Sequence, residues 1–107
     1  MSVDSSKDKR RNKRIAIVKE IEVDGSRGRR ATDLSVEGMY IDTLTPYAVG
    51  SVVQLKFRLD DADDSVLGPV VTRARVLYAQ EGLGIGVQFV DLKNDDRMRI
   101  KQIVEKL

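Results

Sequence analysis

SVVQLKFRL, residues 51–59, is the stretch on which the fold turns. Val53, Leu55, Phe57 and Leu59 occupy every second position, with Gln54, Lys56 and Arg58 between them. A period of two places the apolar set on one face of an extended chain and the polar set on the other, which is the pattern of a half-buried β-strand. A strand with one apolar face needs a sheet to join and a core to cover. The flanking sequence supplies both. RIAIVKEIEV (14–23) is rich in β-branched residues and ends on Asp24-Gly25, a tight-turn pair. A second strand is expected from Arg29 to about Leu34, and a third across MYIDT (39–43). VVTRARVLYA (70–79) and GIGVQFVDL (84–92) add two more around the glycine-rich turn at Glu81–Gly84. Six strands on short connections predict an antiparallel barrel or sandwich.

The C-terminus changes period. In NDDRMRIKQIVEKL (94–107) Ile100, Ile103, Val104 and Leu107 recur at the spacing of one helical face. Asn94 is the expected cap, with Asp95 and Asp96 at the positive end of the helix dipole and Lys101 and Lys106 later. The apolar stripe is expected to pack on the sheet or close one of its ends.

At 107 residues the chain suits one domain with a modest core built from Val, Ile and Leu, because aromatics make up 5%. There is no cysteine and no histidine. Thiolate chemistry, disulfides and the commonest neutral-pH base are therefore excluded, and an enzyme is not expected. The acidic run Asp60, Asp61, Asp63, Asp64 lacks the spacing and the glycine of an EF-hand loop, and reads as a solvated loop rather than a metal site. The chain has no apolar run long enough for a signal peptide or a membrane span, so the expected location is the cytoplasm without membrane insertion.

The net charge of +2 conceals an uneven distribution. Residues 1–14 carry six basic and two acidic side chains, and the remainder is net negative. Residues 1–9 are polar and aperiodic and read as an N-terminal arm, with residues 10–107 forming the domain. Within the basic cluster Arg10 and Arg14 stand four apart, and each offers a planar fork of donors for phosphate oxygens or a base. A solvated tail is the plain alternative. DLSVEGM (33–39) holds Asp33 and Ser35 two apart and Gly38 after them. In an extended chain Asp33 and Ser35 share a face, and an ionised carboxylate accepts the two N–H groups of a guanine edge. Gly38 permits a bulge, a turn or a close backbone approach. The plain alternative is a turn between strands. Gly82, Gly84 and Gly86 have GxGxG spacing with no helix behind them, which rejects a dinucleotide fingerprint. They mark close packing, a bend or room for a flat ring.

Arg10-Arg11-Asn12-Lys13-Arg14 fits RxxxR, Asp33-Leu34-Ser35-Val36-Glu37-Gly38 fits (D/N)xSxxG, and Gly84-Ile85-Gly86-Val87-Gln88-Phe89 is a GxGVxF-like strand. In this order, with a strand between the first two and a helix at the end, the chain resembles the PilZ domain family over nearly its whole length. The resemblance implies a six-stranded antiparallel β-barrel with a C-terminal α-helix, and the second messenger cyclic di-GMP as ligand. It implies that Arg10 and Arg14 contact phosphates and guanine edges, that Asp33 and Ser35 hold one guanine, and that Gly38 allows close approach. Arg11 adds a contact, and Gly86 of the late glycine-bearing strand is counted with Lys9 among the ligand-binding residues. Lys9, the residue before the first motif arginine, stands where the family's choice between one ligand and an intercalated pair is influenced. It is neither an arginine nor a plain apolar residue. The expected role is a receptor that signals to a downstream protein partner through its ordered arm. Two other readings remain open at this stage: a small barrel that binds nucleic acid through the basic arm, and a ligand-blind adaptor. The negative body and the scarcity of stacking rings speak against the first, and the presence of all the motif residues against the second.

Overall fold

A computed structural model of the chain describes residues 14–59 and 68–106. Lys9, Arg10, Arg11, the remainder of the proposed arm, the acidic run and Leu107 lie outside the described residues. Six antiparallel strands form a closed barrel: β1 (Ile15–Val23), β2 (Ser26–Leu34), β3 (Gly38–Asp42), β4 (Val52–Phe57), β5 (Val70–Gln80) and β6 (Gly84–Phe89), in the order β1-β2-β3-β6-β5-β4. Closure removes free sheet edges. One helix, α1 (Asn94–Lys106), follows. The quoted stretch behaves as its pattern requires: Val53, Leu55, Phe57 and Leu59 are buried, while Gln54, Lys56 and Arg58 are exposed.

Several strand ends shift by one to three residues from the sequence reading, and two boundaries have a clear physical cause. β2 starts at Ser26 rather than Arg29, because Asp24 (φ 51) and Gly25 (φ 85) form a two-residue hairpin turn that leaves no loop. Asp24 also fixes the hairpin to β4: its N–H donates to Gln54 O at 2.8 Å, and its Oδ1 accepts from Gln54 N at 2.8 Å. The helix starts one residue earlier than an Asn94 cap implies, since Arg97 N donates to Lys93 O.

The barrel interior is one apolar cluster in which Ile21, Ile41, Leu55, Val70, Val76 and Ile85 are almost fully buried. Ile100 and Val104 of α1 belong to it, and Ile103 lines a small internal gap with Leu34 and Met39. The helix thus closes the barrel end that carries the β2–β3 turn. Burial of this kind contributes about 25 cal/mol per Å² of apolar surface.

The strand register shifts at four places, two of them between β1 and β2, and the two that set the candidate surface lie on β2–β3 and β5–β6. Between Ala31↔Ile41 and Asp33↔Tyr40, β2 gains Thr32 over β3. Between Val76↔Val87 and Tyr78↔Gly86, β5 gains Leu77 over β6. Each bulge reverses the in–out phase of its strand. Ala31 and Leu34 both face inward, so Asp33 faces out. Val76 faces inward, and Tyr78 is half exposed.

Beyond β6, Asp91 ties the chain back to β5. Its Oδ1 accepts from Arg73 N at 3.0 Å and Thr72 Oγ1 at 3.2 Å, and its Oδ2 accepts from Arg73 Nε at 2.9 Å. These bonds, the Arg73 backbone N–H first, hold the Asp91 carboxyl below its ordinary value of 3.8. A carboxyl depressed in the folded state stabilises the fold above its unfolded value, and the contribution is lost as pH falls through the folded value. Asp91→Asn is therefore expected to be less stable than the parent at neutral pH. Urea denaturation should show the gap closing as pH falls through the folded value, below which both carry an uncharged side chain at this position. A gap independent of pH would show that the charge on Asp91 contributes nothing.

Candidate functional site

The row created by the two bulges is the centre of the candidate site. Its register runs Ala16↔Asp33 on β1–β2, Asp33↔Tyr40 on β2–β3, Tyr40↔Gly86 on β3–β6 and Tyr78↔Gly86 on β5–β6. All of these positions face outward. At one end, Arg14 Nη1 donates to Asp33 Oδ1 at 2.7 Å, with both side chains part-exposed. The same Oδ1 accepts from Tyr40 N at 2.9 Å. Two donors occupy its lone pairs, and Oδ2 bonds to no other described residue.

The other end of the row is aromatic. The Tyr40 and Tyr78 ring centroids are 6.2 Å apart, tilted by 30°. A side chain on Gly86 would fall on the Tyr78 ring, and one on Gly84 on Ile41 O and the Tyr40 ring. The two glycines therefore make the space in which the tyrosines lie across β6. Tyr40 OH donates to Gln80 Oε1 at 2.5 Å. Burial, followed by the charges of Tyr78 and Asp42, pushes the Tyr40 hydroxyl above its ordinary value, so it stays a neutral donor at physiological pH.

The (D/N)xSxxG segment is built differently from the extended reading. β2 ends at Leu34 and the chain turns at once, so Ser35 does not share a face with Asp33. Ser35 is 2% exposed. Its Oγ accepts from Glu37 N at 3.1 Å and Gly38 N at 3.3 Å, and its own N–H donates to Gly38 O at 2.9 Å. The hydroxyl is thus engaged in closing the turn. Gly38 lies so close to β6 that a Cβ would overlap the Val87 carbonyl oxygen. The close approach that requires glycine here is made by a neighbouring strand. The turn is also anchored behind: Phe89 N donates to Glu37 O at 2.8 Å, and Arg97 Nη1 of α1 donates to Val36 O at 3.2 Å.

Of the residues expected at the site, Arg14 and Asp33 meet directly, Ser35 and Gly38 frame the adjoining turn, and Gly86 lies in the row beneath Tyr78. Lys9, Arg10 and Arg11 lie outside the described residues. Sequence reasoning missed Tyr40 and Tyr78. The available signal was the Gly84/Gly86 pair, two apart on one face of a strand, which leaves a trough that neighbouring aromatics can fill. No group of three or more metal-ligating side chains occurs among the described residues, and none of the described helices is long and apolar enough to cross a membrane.

Comparison with solved structures places the barrel among known folds. The Bacillus subtilis inhibitor of motility (MotI/DgrA) superposes with a TM-score of 0.77 at 14% identity, covering 91% of this chain. The match spans 49% of that protein, so this chain corresponds to about half of it. The PilZ domain of YcgR from Escherichia coli, solved with c-di-GMP, superposes at 0.68 with 18% identity, covering 92% of this chain and 90% of that one. The PilZ domain of CeSA from a cellulose-synthesizing bacterium gives 0.60 and 23%, covering 87% and 95%. At these identities the likeness is one of fold. No curated protein sequence matches the chain. The sequence profile of the PilZ domain matches residues 8–106, nearly the whole chain and both arginine- and glycine-bearing motifs, and on this ground the chain belongs to the PilZ domain family.

Proposed function

We propose that this chain is a cyclic di-GMP receptor whose ligand lies along the outward row from Arg14 through Asp33 and Tyr40 to Tyr78. The observation that carries the reading is the Arg14–Asp33 pair at 2.7 Å, which joins the RxxxR and DxSxxG motifs at one point of the surface. The family and the ligand of the YcgR domain supply the ligand class.

The chemistry of the row suits a guanine. Asp33 Oδ2 accepts from the N1–H and N2–H of a guanine edge, whereas adenine presents an acceptor at N1 that a carboxylate repels. Arg14 swings from Asp33 toward a phosphate or stays to stack on the base. Tyr78 offers its exposed ring face to a base, with aromatic stacking contributing roughly 1–3 kcal/mol. Arg10 supplies the second fork of the motif, Arg11 an added phosphate contact, and Lys9 a cation beside them. Ser35 and Gly38 act by holding the turn that fixes Asp33. Binding orders Arg10–Arg14 across this surface, and the ordered segment signals to a partner protein.

Calorimetric titration with cyclic di-GMP, with cyclic di-AMP, GTP and a single-stranded oligonucleotide as controls, tests the reading. Saturable binding of cyclic di-GMP well below tens of micromolar is expected, with cyclic di-AMP at least about tenfold weaker. No cyclic di-GMP binding, or oligonucleotide binding with a steep salt dependence, would overturn it.

A further inference from the structure

The barrel end opposite the helix carries a second surface. The loop between β3 and β4 is ordered by its own bonds. Thr45 N donates to Thr43 Oγ1 at 3.1 Å, Ser51 N to Ala48 O at 3.0 Å and Gly50 N to Val76 O at 2.8 Å, and Tyr47 packs against the core. This fixed loop nevertheless holds Leu44 at 82% exposure. Across from it, the β5–β6 turn is closed by Leu83 N donating to Gln80 O at 2.9 Å, and it holds Leu83 at 63% exposure. Thr43 N donates to Leu83 O at 3.1 Å, which joins the two segments, and both leucines line one open groove of about 490 Å³. An apolar side chain held out by an ordered turn, beside a second one, marks an interaction surface more than a solvated loop.

The lining of the groove is net cationic. Arg29, Arg30, Tyr40 and Asp42 line it. Arg30 is exposed and pairs with no described acid. Arg29 donates through Nη2 to Thr45 Oγ1 at 2.9 Å, but its Nε is buried with no acceptor. Arg30 stands opposite Asp42 in the β2–β3 register, and with Arg29 the lining holds two arginines to one carboxylate. The groove therefore complements a ligand that brings both apolar atoms and negative charge.

We infer that this groove docks an acidic, apolar-flanked segment of a partner protein, with an apolar side chain between Leu44 and Leu83 and a carboxylate on Arg30. A protein segment fits better than a nucleic-acid backbone, because leucine walls neither stack on bases nor donate to phosphates. The groove lies outside the Arg14–Asp33 row but shares Tyr40 with it. Tyr40 lines the groove, and its backbone N–H donates to Asp33.

A photo-cross-linking residue placed at position 44 of the full chain tests this, with position 18 as control, since Val18 is 71% exposed elsewhere on the barrel. Cross-linking is done in extract of the source cells, and the adduct is sequenced. One partner segment carrying Asp or Glu beside apolar residues is expected from position 44. Arg30→Glu should cut the adduct by about tenfold, and changing the partner's carboxylate to Lys should restore it. Arg30→Glu should leave cyclic di-GMP titration unchanged, which separates failure here from failure of the ligand reading. Adducts to a second copy of the chain, to nucleic acid or to the same proteins as position 18 would overturn the inference. So would the absence of any adduct, or an adduct indifferent to Arg30→Glu and Arg30→Ala.

Discussion

Arg14→Ala is expected to weaken cyclic di-GMP binding by about a hundredfold or more while shifting the melting temperature by no more than a few degrees. The binding loss follows from removing two charge-assisted hydrogen bonds at roughly 1.5–3 kcal/mol each, where about 1.4 kcal/mol is tenfold. The small stability effect follows from exposure. The side chains of Arg14 and Asp33 are 41% and 31% accessible, and an ion pair so placed contributes about 0–1 kcal/mol. Asp33→Ala should lose binding to the same degree but cost more stability, because Tyr40 N then loses its acceptor. A part-buried backbone donor left unbonded costs roughly 1–3 kcal/mol. Asp33→Asn separates the two roles: its amide oxygen still accepts from Tyr40, while its NH₂ group no longer matches a guanine edge. Titration and thermal melts on the three variants check the argument. Wild-type affinity in Arg14→Ala would remove the row from the binding surface.

Much of the fold was legible because period two is strong in this sequence. The stretch 53–59 alternates without interruption, and the strands around it needed only turn chemistry to be separated. The helix announced itself by its change of period at residue 94. What the sequence did not display was phase. A bulge is one residue long and leaves no compositional mark, so extending the alternation from Ala31 would turn Asp33 inward, and extending it from Val76 would turn Tyr78 inward. Thr32 and Leu77 reverse both strands and bring Asp33 and Tyr78 into the same outward row. For the same reason the shared face of Asp33 and Ser35 does not exist: the strand ends at Leu34 and Ser35 turns into the fold. The motif residues were identifiable, but the division of labour between those that face the row and those that hold the turn required the register.

That division makes the two motif glycines separable, and Gly38→Ala is expected to have the larger effect on the fold. A Cβ at position 38 meets the Val87 backbone carbonyl, with the Gln88 Cα at 3.1 Å. Backbone atoms in a closed barrel move only if β3 separates from β6, and that breaks the ladder Gly38↔Gln88 to Asp42↔Gly84 along one seam. A cost of about 3 kcal/mol or more is expected, a large share of the 5–15 kcal/mol typical of a small domain. The melting temperature should fall by roughly ten degrees or more. The nearest atoms to a Cβ at position 86 all belong to the Tyr78 ring, a half-exposed side chain that can shift outward. Its cost to stability should be about 1 kcal/mol, but the displaced ring no longer lies in the row with Tyr40, so cyclic di-GMP binding should weaken. Melting curves and titrations on both variants decide the matter. If Gly38→Ala folds as well as the parent and loses only the ligand, Gly38 serves the ligand's approach rather than the approach of β6. If Gly86→Ala binds as the parent does, Tyr78 is a cover over the glycine trough and not part of the surface that a base meets.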